Sequence, residues 1–195
     1  MDPEEEGLPY GHMVNSEIPG KLRLAKRDYD QRSVPITGDH LTEALDNGWV
    51  HFKTLKTKIQ LRKSKLHGKS WEHSVWSLFA GLKFEQMNDL DGQFNLNGIH
   101  QIDVFAYIPG HVILIECKSK EAPGKSKKVR DYLLNISGYR AKAEQSIKQK
   151  YGSKTKISWA LATNNYEITN TQIEYAKECG INLLNEKQIN YFHEL

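Results

Sequence analysis

A chain of 195 residues is long enough for one domain with an appendage, and at 38% hydrophobic residues it can bury a proper core. Charged residues make up 26% and the net charge is +3, a mild excess that permits nucleic-acid binding without demanding it. Two cysteines, Cys117 and Cys179, exclude a disulfide scaffold and a Cys-x-x-Cys zinc site and fit a reducing cytoplasm, and no membrane-length apolar run or signal peptide is visible.

Residues 1–38 are polar, acidic at their start and broken by Pro3, Pro9, Pro19, Gly20 and Pro35. They read as a poorly ordered N-terminal arm. Gly11-His12-Met13 has the form of a cloning scar, which would make residues 1–13 partly vector-derived. Residues 39–65 read as an appendage of one helix and basic strand. Asp39 to Gly48 forms the helix, stopped by the glycine. Trp49 to Arg62 alternates apolar and polar side chains, giving one or two strands with a basic outer face.

From 66 to 195 the pattern is that of one α/β domain. Ser70 N-caps a helix running to about Leu82, with Trp71, Val75, Leu78, Phe79 and Leu82 as its apolar stripe. Glu72 is either a first-turn acid favoured by the helix dipole or a third carboxylate facing the strands that follow. Residues 84–98 read as a polar loop, with Asp91-Gly92 and Asn97-Gly98 as turn signals. Two apolar runs around Pro109-Gly110 then make a hairpin. Residues 121–126 form a loop, and a long amphipathic helix covers 128–150, with Gly138 its weak point. Ile157 to Thr163 is a buried strand ending in a turn at Asn164-Asn165. Thr171-x-x-Glu174 opens a helix that stops at Gly180; a strand at 181–184 and a short helix at 186–195 close the chain. This order fits a mixed sheet with helices on both faces. No dinucleotide-binding glycine motif, Walker loop or nucleophile elbow is present.

The hairpin carries the chemistry. Proline disfavours the tight I′ and II′ turns, so a four-residue loop from Ile108 to His111 is expected. Centring the hairpin between Pro109 and Gly110 sets Asp103 opposite Glu116 and Gln101 opposite Lys118. Side chains alternate along a strand, so all four share one face. Opposed carboxylates repel, and a divalent cation would offset that repulsion. The plainer reading is that strand ends are often charged and that a bulge would separate the acids. On the metal reading, Asp103 and Glu116 hold Mg²⁺ or Mn²⁺, which take hard oxygen ligands and keep open water positions. Glu72 supports a second ion or a metal-bound water, Lys118 acts on the attacking water or on the charge at phosphorus, and Gln101 orients water or substrate. Cys117 points to the opposite face as a small core residue.

Two basic runs flank these residues. Lys56, Lys58, Arg62 and Lys63 lie before them; Lys120, Lys127, Lys128 and, further on, Arg140 follow. Such runs are either solvated surface or contacts to a nucleic-acid backbone.

A helix with Glu72, the strand Gln101-Ile102-Asp103 and the strand Ile115-Glu116-Cys117-Lys118 together resemble the PD-(D/E)XK nuclease superfamily, and more narrowly the Mrr-type restriction endonuclease-like domain. A late strand ending Thr163-Asn164 is also similar, and the resemblance covers about residues 66–185. Ile102 replaces the proline that names the motif, at a position that varies in the superfamily. The resemblance implies a restriction-endonuclease-like mixed sheet flanked by helices, and Mg²⁺-dependent cleavage of DNA in restriction, defence or repair. Gly48-Trp49, Lys56-Thr57-Lys58 and Arg62-Lys63 are further similar to the N-terminal part of DGQHR-domain proteins, although no DGQHR string occurs. That likeness would make the chain a free-standing relative or a fragment of a larger DNA-modification protein. The competing readings are a catalytically silent DNA-binding module and an interaction domain. RNA cleavage is less favoured, since no RNA-stacking motif is visible. Cleavage of both strands would call for a homodimer, because one active site cuts one strand.

Overall fold

A computed structural model of the protein describes residues 12–14, 17–91, 94–96 and 100–194, with side chains for 17–91 and 101–191. The elements in order are β1 (His12–Val14), α1 (Ile18–Ala25), β2 (Tyr29–Pro35), α2 (His40–Asp46), β3 (Val50–Thr54), β4 (Lys58–Ser64), α3 (His67–Gly81), β5 (Gln86–Asn88), β6 (Phe94–Leu96), β7 (His100–Ile102), β8 (Val104–Ile108), β9 (His111–Lys125), α4 (Lys128–Tyr151), β10 (Lys156–Glu167), α5 (Asn170–Glu178), β11 (Ile181–Asn185) and α6 (Glu186–Glu194).

Strands apolar on both faces need cover on both, and here they have it. The six-stranded sheet runs β1-β5-β8-β9-β10-β11. Pairing is antiparallel from β1 to β9 and parallel from β9 to β11, so the sheet is mixed, as expected. Val104, Ala106, Ile115, Cys117, Ala160 and Ala162 pack against Trp71, Val75 and Trp76 of α3, with Ile18 of α1 and Ile189 of α6. The alternate residues Phe105, Val112, Leu114, Trp159 and Leu161 pack under Val129, Leu133, Ile136 and Ile147 of α4. Each fully buried Leu or Phe of these layers contributes about 1.5–3 kcal/mol through area removed from water. The crossover from β9 to parallel β10 is α4 itself, the connection a parallel pair requires. Trp71 pins α3 to the sheet by donating from Nε1 to the Ala162 carbonyl at 3.1 Å.

A second sheet has the order β2-β4-β3, antiparallel throughout. One face packs Val34, Ile59 and Leu61 on Ala44 of α2. Gly48 takes φ +79 just beyond α2, the stop expected of a glycine there.

Several local expectations are corrected. Residues 17–38, assigned to a loose arm, form α1 and β2, because β2 pairs along its whole length with β4. Residues 1–11 and 15–16 lie outside the described residues, while 12–14 form an edge strand on β5. The 84–98 loop contains β5, whose Met87 is fully buried, and β6, paired with β7; residues 92–93 and 97–99 lie outside the described residues. The 121–126 loop is instead the end of β9, still paired through Gly124 and Lys125 with β10. At Asn165 the expected turn is a bulge: φ is +63 and the β9–β10 register shifts there, but the strand continues. The capping box of α5 lies two residues early, with Thr169 and Gln172 as its members. Among the described residues no helix is long and apolar enough to cross a membrane.

Candidate active site

The hairpin register is the expected one. Val104 pairs with Ile115 and Ile108 with His111, the offset that aims Asp103 at Glu116, but the ladder itself ends at Val104. The loop is shorter than predicted. Only Pro109 and Gly110 lie in it, and Gly110 takes φ +80, which a type II turn needs after proline.

At Asp103 the strand breaks. β8 starts at Val104, and β7 leaves the main sheet to pair with β6. The Asp103 carboxylate takes the place of a backbone partner: its Oδ2 accepts from the Cys117 N–H at 2.7 Å. Asn88 holds the same break from the other side. Its Nδ2 donates to the Asp103 carbonyl and its Oδ1 accepts from the Phe105 N–H, both at 2.9 Å. Buried backbone groups freed by a break must find such partners. The expected Gln101–Lys118 cross-strand pair is therefore not formed. Gln101 is exposed and lines a cavity with Glu72 and Asp103.

Glu116 is 6% exposed, so its charge must be met inside the protein. Tyr139 of α4 donates its hydroxyl to Oε1 at 3.0 Å, and Lys118 Nζ donates to Oε2 at 3.1 Å. The same ammonium lies 3.6 Å from Asp103 Oδ2 and 5.8 Å from the centre of the Tyr132 ring. Burial and then the Asp103 charge push the Glu116 carboxyl above the usual carboxylate range, against Lys118 and Tyr139. Burial acts to lower the Lys118 pKa, but Asp103 and Glu116 overcome it and hold the ammonium above its ordinary value. Burial pushes the Cys117 thiol well up, as befits the packed, inert residue expected there.

Glu72 joins this group from α3. The helix begins at His67 rather than Ser70, because Leu66 in extended conformation precedes it and Ser70 N–H bonds back to the Leu66 carbonyl. Glu72 thus lies beyond the first turn, and the dipole explanation falls. Its carboxyl is raised to about 7, first by burial and then by Asp103, with Glu116 adding and Lys118 opposing. Leu82, counted in the apolar stripe, lies past the helix end and is 58% exposed.

The cavity shared by Glu72, Asp103 and Gln101 measures about 410 Å³. Its far wall holds a network that sequence reading missed. Asp91 Oδ1 lies 2.8 Å from His73 Nε2 and 3.0 Å from Lys69 Nζ, which also binds Asp30 at 3.0 Å. The His73 contact, backed by Lys69, holds the Asp91 carboxyl well below the usual range in spite of partial burial. Tyr139, Asn88 and this network carry no local motif. Only the turn pair Asp91-Gly92 marked any of them in sequence.

Three acids face one lysine at this point, which leaves negative charge that an added cation would offset. Among the described residues no three His, Cys, Asp or Glu side chains form a ready ligand set. Two carboxylates with the remaining positions left to water and substrate oxygens are what Mg²⁺ accepts. On that donor chemistry the residues are compatible with such an ion.

The basic residues divide. Lys56, Lys58, Lys127 and Lys128 are exposed. Lys63 Nζ donates to the Asn47 carbonyl at 2.7 Å, closing the end of α2. Arg62 stacks between Tyr29 and Phe52, 4.0 and 3.2 Å from the ring centres. Lys120 donates to the Gly124 carbonyl at 3.1 Å. Arg140 is held by Glu144 and the Cys179 carbonyl, both at 2.6 Å, and so braces the end of α5 against α4.

No family model and no curated protein matches the chain. Two solved structures are similar in overall course. One is Can2 from Sulfobacillus thermosulfidooxidans in complex with cyclic tetra-adenylate, at 14% identity and a TM-score of 0.40 over 95% of this chain and 56% of that one. The other is protein VC1899 from Vibrio cholerae, at 11% identity and a TM-score of 0.43 over 92% of this chain and 48% of that one. The chain thus spans about half the length of each. Likenesses this distant decide nothing about its chemistry, which rests on its own residues.

Proposed function

We propose that the protein is a metal-dependent endonuclease of the PD-(D/E)XK type that hydrolyses phosphodiester bonds in DNA, with Mg²⁺ as its ion and Mn²⁺ as a substitute. The observation that carries this reading is the convergence of Asp103, just before β8, with Glu116 and Lys118 in the middle of β9, the lysine lying 3.1 Å from one acid and 3.6 Å from the other. Asp103 and Glu116 would hold the ion, and Glu72 would support it from α3. Such an ion supplies Lewis-acid polarisation of a phosphoryl oxygen and a more acidic bound water.

The chain's own groups do the rest. Asp103 and Glu116 hold the Lys118 ammonium above its ordinary pKa, which suits it to meet the charge that develops on phosphorus. Without an ion, burial and the Asp103 charge raise the Glu72 carboxyl to about 7, and a cation beside it would favour its charged form. The Cys117 N–H and Tyr139 hydroxyl fix the two carboxylates, so little reorganisation is left for the reaction. Exposed Lys127 and Lys128 supply sequence-independent phosphate contacts.

The test is nicking of supercoiled plasmid with Mg²⁺, Mn²⁺ or EDTA, comparing wild type with Asp103→Asn and Lys118→Ala. Metal-dependent nicking that both substitutions remove is the expected result. Nicking that persists in Asp103→Asn, or its absence in wild type on plain, methylated and branched DNA, would overturn the reading.

A further inference from the structure

The second sheet has one covered face and one open face. Ile59 and Leu61 point into the α2 side, so the alternate residues of β4, and those opposite them on β2 and β3, point away. On that open face Arg62 lies between the rings of Tyr29 and Phe52. A register shift between His51 and Lys53 marks a bulge at Phe52, which is 45% exposed. Lys53 and Lys58 lie further along the same face, toward the β3–β4 turn, and are exposed, and Val50 beside Arg62 is 64% exposed. The other ladder positions of this face are Gln, Ser and Pro; none is acidic.

We propose that this open face of the β2-β4-β3 sheet binds single-stranded DNA. Its charge and its shape both suit such a strand. A face that carries cations and no acid is complementary to a phosphate backbone. The exposed Phe52 ring, with the half-buried Tyr29 ring on the other side of Arg62, offers stacking to an unpaired base, whose faces a duplex hides. Arg62, wedged between the rings, stiffens the platform and adds a cation beside it. The surface is separate from the acidic site. It takes from the proposed function only that nucleic acid is the partner, and it identifies an unpaired strand as the form this appendage holds.

The test is fluorescence anisotropy in EDTA, using the full chain with an oligothymidylate of about a dozen nucleotides. A blunt duplex and anionic lipid vesicles serve as competitors. Phe52→Ala should weaken oligothymidylate binding by about fivefold or more, the loss of one stacked base. Lys58→Gln should flatten the slope of log affinity against log salt by about 0.7, the loss of one single-strand phosphate contact. Circular-dichroism melts confirm that each variant folds. Unchanged binding in both folded variants, no binding by wild type, or preferential competition by duplex or vesicles would overturn the proposal. Plasmid nicking separates the two readings. Oligonucleotide binding lost in Phe52→Ala with no nicking by wild type would sink the nuclease and leave the surface. Nicking with oligonucleotide binding indifferent to both substitutions would do the reverse.

Discussion

Glu116 keeps its carboxylate buried against Tyr139 and Lys118, whereas Lys53 and Lys58 stand on an open face with water around them. Both regions rest on strands with period-two alternation, but they hold charge on opposite terms. At the hairpin end Asp103 and Glu116 are each met by a named donor, because leaving a buried acid unpaired costs several kcal/mol. On the small sheet the cations are already solvated and each contributes little to folding. Changes at the hairpin end should therefore act sharply and together, and changes on the small sheet weakly and additively.

The largest effect tests the sharp side. Asp103→Asn and Lys118→Ala should each lower nicking on the order of a hundredfold or more, the usual cost of removing a group aimed at transition-state charge. Losses of only a few fold would place the chemistry elsewhere. Tyr139→Phe comes next, since it removes only the hydroxyl that orients Glu116. The Mg²⁺ concentration for half-maximal nicking should rise by about tenfold or more, with folding intact. A metal titration that superimposes on wild type would make Tyr139 a packing residue. Asn88→Ala should cost about 1–3 kcal/mol in urea unfolding, because it removes the amide that bridges the Asp103 carbonyl and the Phe105 N–H.

The effect of Glu72→Gln depends on pH. Glu72 is raised from 4.5 to about 7 in the fold. Between those values the folded chain holds more proton on this group than the unfolded chain, so its contribution to stability falls as pH rises through that window. The variant should match wild type near pH 4 and melt above it near pH 8, both in EDTA. A difference independent of pH would show that burial and Asp103 do not raise the Glu72 carboxyl. Smallest is Lys58→Gln on the open sheet, expected to move stability by less than about 0.5 kcal/mol. A larger loss would mean that the small sheet uses its cations as the hairpin end does.

Where the sequence spoke clearly, the signal was local and repeated. Alternation on both sides of Pro109-Gly110 is enough to set the hairpin register, which brings Asp103 and Glu116 to the same lysine. The helical stripe of Trp71, Val75 and Phe79 marked α3, and Gly180 at φ +64 marked the end of α5. Other features had no such signal. β5 is three residues long and owes its existence to pairing with β1 and β8. Pro123-Gly124 reads as a turn, yet the segment stays extended because β10 lies beside it. Arg62, Lys63 and Arg140 look alike in sequence, but a ring pair, a helix end and a carboxylate had already engaged them.

The sequence by itself determined the mixed sheet, its cover on both faces and the pairing of two acids with a lysine. These follow from side-chain periodicity and from turn residues, which act over a few positions. Only the tertiary structure decided that the strand breaks at Asp103, that Asn88 and Tyr139 hold the carboxylates and that Glu72 arrives from α3. Those contacts join residues 14 to 23 apart, or bring charges together from separate elements, and burial sets their strength. No local pattern encodes such meetings, because their energy exists only once the layers have closed around them.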